Sequence, residues 1–257
     1  MTIGAEGLGM QLTVVGCSGS FPSADSPCSS YLVEADGFRA VLDLGNGALG
    51  ALQNYVGLYD VDAVLLSHLH ADHCVDLCAY WVARNYRVEG CPDPVPVYGP
   101  AGTPERLARA YDMPEEPGMT EVFEFRTLKP GTFDLGPLRI TTVQVNHPVE
   151  AYAFRIEHGG HAIVYSGDTG ESADLVELAT GADLFLCEAA YTDGKDTYQA
   201  VHLNGREAGE HATAAGAKRL VLTHIPPWTD AQRNLRDAEA AYRGPVELAR
   251  PGAVYRF

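Results

Sequence analysis

Apolar residues in this chain come in short, β-branched runs separated by polar or glycine-bearing segments: QLTVVG (11–16), SSYLVEA (29–35), FRAVLDLG (38–45) and DAVLLSH (62–68). Runs of this length, bounded by turn residues, predict strands. GALGALQNYV and DHCVDLCAYWVARNYR carry apolar residues three and four positions apart, the repeat of one helix face. Residues 90–120 break the rhythm. They are rich in Pro and Gly around one short helix, TPERLARAY, for which Thr103 is the expected N-cap and Pro104 fills the first turn. That stretch reads as a lid or insertion.

From about residue 121 the alternation resumes with VFEFRTL, LRITTVQV, AYAFRIE and HAIVYSG as strands, then ESADLVELA as a helix and DLFLCEA as a strand. A helix (GREAGEHATAAG), a strand (RLVLTH), a helix (DAQRNLRDAEAAY) and a last strand (AVYRF) complete the chain. Two sheets, each covered by helices on its outer side, would bury these apolar faces in an α/β protein. No Pro- or Ser-rich linker divides the two halves, so residues 1–257 are expected to form one domain, with 1–9 as a flexible N-terminal tail.

Composition narrows the function classes. The chain is 46% hydrophobic and 20% charged, with no apolar run near ~20 residues, which argues against a membrane span. No Lys or Arg precedes Arg39 and no apolar leader core follows the start, so no secretory signal is read and the cytoplasm is the expected location. A formal charge of −16 works against a long nucleic acid, which gains affinity from clustered Lys and Arg. Small anions remain compatible if a metal supplies local positive charge. Six cysteines without a Cys-x-x-Cys pair read as reduced thiols; Cys74 and Cys78, four apart, read as helix packing.

The chemistry is concentrated in LLSHLHADHCVDL (65–77), which places His68, His70, Asp72 and His73 within six positions, between a strand end and a helix start. Imidazole and carboxylate suit zinc and similar divalent ions, and the lack of Cys argues against a closed structural site. A capping role explains Asp72 but not three histidines. Four ligands this close would divide between two ions, since a catalytic ion keeps an open position, so further ligands are expected at other strand ends. His147, Asp168 and His224 are the candidates. His158 and His161 flank the turn in IEHGGHAI and are expected to be solvated, whereas His211 lies within a helix. His202 stands just before a helix N-terminus, a favourable place for a phosphate, and is a candidate acid.

These segments carry a resemblance. SHLHADH, NHP (146–148), SGDTG (166–170) and LTHIPPW (222–228) resemble the metallo-β-lactamase superfamily along nearly the whole chain. VVGCSGSFPSADSPCSSYLVE, followed in order by SGDTG, CEAAYT, HLN and LTHI, is similar to the RNase Z-like phosphodiesterase branch, and most of all to the atypical class II cyclic-nucleotide phosphodiesterases. The resemblance implies a four-layer αβ/βα sandwich of two mixed sheets with metals at one edge. It implies that His68, His70 and His147 hold one divalent ion and Asp72, His73 and His224 the other, with Asp168 bridging; zinc is expected first, then manganese or iron(II). His202 matches the family histidine facing the scissile phosphate, and Glu188 the acid that orients it. Where RNase Z typically has His-Ser-Thr, this chain has His202, Leu203 and Asn204, which removes both hydroxyls of that loop.

The implied reaction is hydrolysis of a 3′,5′-cyclic nucleotide such as cyclic AMP to the 5′-monophosphate, with Asp72 orienting the attacking water or taking its proton and His202 protonating the leaving ribose oxygen. One rival is tRNA 3′-end processing. RNase Z enzymes usually carry a long arm between the His and the bridging Asp, but only 21 positions separate His147 from Asp168, already filled by two strands and a turn. The other rival is a thioester, lactone or β-lactam hydrolase, a branch without the CEA and HLN pair. A homodimer is implied by resemblance alone.

Overall fold

A computed structural model describes residues 9–194 and 201–257. The expected tail falls, Gly9 apart, outside the described residues. In chain order the elements are β1 (Gln11–Gly16), β2 (Ser30–Ala35), β3 (Phe38–Leu42), α1 (Ala48–Leu52), β4 (Ala63–Leu65), α2 (Ala71–Cys74), α3 (Asp76–Asn85), β5 (Val95–Gly99), α4 (Thr103–Tyr111), β6 (Phe123–Thr127), β7 (Gly131–Leu135) and β8 (Leu138–Gln144). They continue with β9 (Tyr152–His158), β10 (His161–Tyr165), α5 (Ala173–Leu178), β11 (Leu184–Glu188), α6 (Gly205–Ala215), β12 (Leu220–Thr223), α7 (Ala231–Ala241), β13 (Val246–Leu248) and β14 (Val254–Arg256).

Two seven-stranded mixed sheets form, in the orders β14-β1-β2-β3-β4-β5-β6 and β13-β12-β11-β10-β9-β8-β7. Strand alternation decides what each face buries. Leu12 and Val14 of β1, Ala40 and Leu42 of β3, Ile163 and Tyr165 of β10, and Leu184 and Leu186 of β11 join one cluster between the sheets. Their neighbours point outward: Val41 packs with Leu77, Tyr80 and Leu107 of α3 and α4, and Val164, Phe185 and Cys187 pack with α5, α6 and Ala238 of α7. With both faces covered, strands such as β11 read as continuous apolar runs. The layers are therefore helix, sheet, sheet, helix, the expected αβ/βα sandwich.

Two expectations change. Residues 90–120 are no lid or insertion, because β5 is an interior strand parallel to β4 and β6; Pro96 hides it in the sequence, since proline normally argues against a central strand. Thr103 is the first helical residue and not the cap: Gly102 takes the cap position with φ 79°, and Thr103 Oγ1 donates to Pro100 O at 2.7 Å. The sheets are not the two halves of the chain: β6 closes the first sheet and β14 returns to it. The short strands β7 and β13 complete the second sheet without a clear periodic signal. No helix among the described residues is long and apolar enough to cross a membrane.

Candidate metal centre

Strand direction gathers the site. In the first sheet β3 and β4 run parallel; in the second, β8 and β10 share a direction through β9, and β10, β11 and β12 are parallel. Their C-terminal ends lie at one edge, where ligands meet open α/β sheets. Asp43 follows β3, His68 comes three residues after β4, His147 three after β8 and Asp168 three after β10; Glu188 ends β11 and His224 follows β12. The helical run expected from Asp72 breaks at Val75 into α2 and α3, leaving Asp72 and His73 on a single turn that faces this edge.

Ligand atoms of His68, His70, His147 and Asp168 lie within 4.8 Å of one another, as do those of Asp72, His73, Asp168 and His224. His70 Nδ1 is 2.9 Å from His68 Nε2 and 3.2 Å from His147 Nε2. In the second group His73 Nε2 is 3.3 Å from Asp168 Oδ1 and 3.6 Å from Asp72 Oδ2, and His224 Nε2 is 3.3 Å from Asp168 Oδ2. His68 Nε2 is 3.6 Å from Asp168 Oδ2, so this carboxylate belongs to both groups. Two ligands of one tetrahedral zinc, each about 2.0–2.2 Å from it, stand roughly 3.3–3.6 Å apart. The spacing fits a metal on either side of Asp168.

Outer hydrogen bonds fix which ring nitrogen faces inward. Ser67 donates its N–H and O–H to Asp43 at 2.7 and 2.8 Å, so its oxygen accepts from His68 Nδ1 at 3.1 Å. His73 Nδ1 donates to Asp43 Oδ2 at 2.7 Å, and His147 Nδ1 donates to Val201 O at 3.0 Å. Ser29 Oγ lies 3.0 Å from His224 Nδ1. Four histidines therefore aim Nε2 inward, while His70 presents Nδ1. Two buried atoms, His73 Nε2 and Asp168 Oδ1, have no hydrogen-bond partner. An unpaired buried donor or acceptor is costly unless something else satisfies it, and a divalent cation would.

The electrostatics agree. Burial holds His68, His70, His147 and His224 below the usual histidine range, which keeps them in the neutral, metal-binding form. For His73 burial works the same way, but Asp168 and Asp43 outweigh it and push the pKa well up. A cation between Nε2 and Asp168 would replace that proton. Burial would raise Asp168, yet His224, His73 and His68 bring it well below the carboxylate range.

His202 forms a different unit. Its Nδ1 donates to Glu188 Oε1 at 2.8 Å and stands 4.0 Å from Asp168 Oδ2. Glu188 also accepts the N–H groups of Thr169 at 2.7 Å and Ala190 at 3.2 Å, which occupies both its oxygens and argues against a ligand role. Burial disfavours charge on His202, but Glu188 prevails and raises its pKa to about 9. An Asn204–Glu207 capping box opens α6 directly behind it. The backbone is locally strained: Ser20, Asp43 and His224 adopt φ of 63°, 56° and 52°, a cost that tends to persist at functional sites. Ser20 N–H donates to Asp72 Oδ2 at 2.9 Å, and a Cβ on Gly19 would stand 2.4 Å from His224 O. The glycine lets that loop approach.

Sequence reasoning did not find Asp43, Ser67, Ser29, Tyr165 or the Val201 carbonyl; an acidic residue ending the apolar run AVLD was the one available signal. The remaining histidines stay apart. His161, the first residue of β10 after the Gly159–Gly160 turn, is exposed as expected. His158 is less solvated than expected, with Nδ1 donating to Pro137 O at 3.1 Å. His211 is buried, donating from Nδ1 to Glu207 O and accepting Ser172 N–H at Nε2, which joins α6 to the start of α5. Burial pushes the Cys74 thiol up to about 12, so it carries no thiolate at neutral pH.

Comparison with known proteins places this geometry in context. The beta-lactamase superfamily domain matches residues 38–225. An uncharacterized protein of Mycobacterium leprae is 43% identical over 251 residues, 96% of this chain and 88% of that protein. The probable metallo-hydrolase YhfI of Bacillus subtilis is 32% identical over 249 residues, 96% of this chain and 99% of its own; its crystal structure superposes with a TM-score of 0.87, covering 97% and 100% of the two chains. A ribonuclease Z of Myxococcus xanthus is 27% identical over 300 residues, 95% of this chain and 96% of that enzyme.

Proposed function

The chain belongs to the beta-lactamase superfamily, in its RNase Z-like branch of metallo-hydrolases, and on that premise we propose that it is a dinuclear phosphodiesterase cleaving 3′,5′-cyclic nucleotides such as cyclic AMP. In this reading His68, His70 and His147 hold one divalent ion, zinc first among candidates, Asp72, His73 and His224 hold the other, and Asp168 bridges. When bound, such ions supply positive charge that neutralises phosphoryl oxygens and lowers the pKa of an attacking water. Asp72, held by the Ser20 N–H, orients that water or accepts its proton. As the bond from phosphorus to the 3′-oxygen breaks, His202 delivers the Nε2 proton to the leaving oxygen; Glu188 holds Nδ1 and keeps the ring charged beforehand.

The observation that carries the reading is the His202–Glu188 pair beside Asp168, a proton donor where a phosphodiester leaving group would sit. Substrate size rests on the connection from His147 to Asp168: β9 and β10 join through the two-residue turn Gly159–Gly160, leaving no room for an arm that grips tRNA. The charge of −16 supports the same choice. Metal-loaded protein assayed in parallel on cyclic AMP, cyclic GMP, a precursor tRNA and a thioester should turn over the cyclic nucleotides. Cleavage of precursor tRNA without cyclic-nucleotide turnover would replace this proposal with the RNase Z reading.

A further inference from the structure

Two aromatic rings on loops that adjoin the ligand groups are left unexplained by the metal centre. Phe21 is 41% exposed and Trp228 69% exposed, and their ring centroids lie 5.0 Å apart at 35°. Neither packs into any of the three hydrophobic clusters. An exposed tryptophan contributes little to a core, and amphipathic aromatics left in water are favoured where something is to be bound.

Both rings ride on the loops that build the metal centre. Phe21 follows Ser20, whose N–H holds Asp72, and Gly19, which lies against His224. Its backbone is tied down: Phe21 N–H donates to Gly19 O at 2.7 Å, and Ser18 Oγ donates to Phe21 O at 2.7 Å. Trp228 comes four residues after His224, beyond Pro226 and Pro227. Thr229 N–H donates to Pro226 O at 2.9 Å, and Thr229 Oγ1 donates to Ala190 O at 2.9 Å, which closes the turn around the tryptophan. The loops thus preorganise an aromatic pair on the same segments that approach Asp72 and carry His224, which reduces the ordering cost of binding.

A cyclic nucleotide carries its base one ribose away from the phosphorus. Aromatic side chains accept the face of any nucleobase, and such stacking tolerates every base because each has a π-face. Resting on the phosphodiesterase reading above, we propose that Phe21 and Trp228 form the platform on which the nucleobase of the substrate stacks. The metals and His202 then act on the phosphodiester, and the aromatic pair distinguishes a nucleotide from a base-free cyclic phosphate. Because stacking uses the ring face without reading its edge, purine and pyrimidine nucleotides are both accepted, with purines favoured by their larger face.

The test compares kcat/KM of the metal-loaded full chain on cyclic AMP and on base-free ribose 3′,5′-cyclic phosphate. In Trp228→Ala and Phe21→Ala the ratio between the two substrates should fall about tenfold, mostly through KM for cyclic AMP, and Trp228→Phe should restore much of it. A binding readout is independent of turnover: adenosine 5′-monophosphate should quench the emission of Trp228, over the background of buried Trp81, and Trp228→Phe should abolish the quench. Cyclic-nucleotide turnover with an unchanged ratio and no quench overturns the platform and leaves the phosphodiesterase reading standing. Quenching without cyclic-nucleotide turnover overturns that reading and keeps the platform. If Trp228→Ala alters only the sedimentation of the protein, the pair is a contact between copies and the platform is overturned.

Discussion

His73 Nδ1 lies 2.7 Å from Asp43 Oδ2, both groups fully buried, and the same carboxylate also accepts Ser67 and, at 2.7 Å, the hydroxyl of Tyr165. One acid just after β3 therefore fixes His73 directly and His68 through Ser67, so both ligand groups lean on it. Asp43→Asn keeps the size and removes the charge that holds these imidazoles in place. Affinity for divalent metal should drop about 10- to 100-fold, as for other outer partners of ligating histidines. Competition with a chromophoric chelator measures it, and unchanged affinity would contradict the role given to Asp43.

Asp168 belongs to both ligand groups, so Asp168→Ala should lose both ions, whereas His147→Ala should weaken one site chiefly. Metal content after dialysis separates the two cases. Ligand at 100 times its Kd stabilises a native state by about 2.7 kcal/mol. Added zinc should therefore raise the melting temperature of the native protein and leave that of Asp168→Ala where it is.

His202 and Glu188 stand outside the metal groups in the proposed scheme. His202→Ala should retain both ions and lose about 10²- to 10⁴-fold in kcat, the usual contribution of a positioned general acid. Glu188→Gln leaves His202 in place but withdraws the charge holding Nδ1, so kcat should fall with little change in KM or metal content. A His202→Ala variant at full rate would remove it from the mechanism.

Asp183, at the start of the second sheet's parallel strands, accepts Ala162 N–H at 2.8 Å and Lys218 Nζ at 2.7 Å. Burial would raise its pKa, but Lys218 and the amide outweigh it and hold it below the carboxylate range. A depressed pKa contributes stability above the ordinary Asp range that is lost as pH falls through the folded-state value. Asp183→Asn should accordingly lower the urea midpoint at neutral pH, and the gap to the native chain should close in acid.

The amino-acid sequence by itself determined the local features. Short β-branched runs bounded by turn residues marked eleven of the strands in place, helical spacing marked the major helices, and His-x-His-x-Asp-His at a strand end marked a metal site, because such patterns act within a few residues. His147, Asp168 and His224 could be picked out one by one as polar ends of apolar strands. What only the tertiary structure decided was whatever depends on partners distant in the chain. Pro96 obscured β5 until β4 and β6 flanked it, β14 joined the first sheet from the far end of the chain, and β13 became a strand by lying beside β12. Asp43, Tyr165 and the Val201 carbonyl acquired roles only when folding brought Asp43 against His73, 30 positions on, Tyr165 against Asp43, 122 positions back, and the Val201 carbonyl against His147, 54 positions back. Hydrogen bonds that orient an imidazole are short-range in space but unconstrained in sequence separation, so a single chain displays the ligands without the groups that aim them.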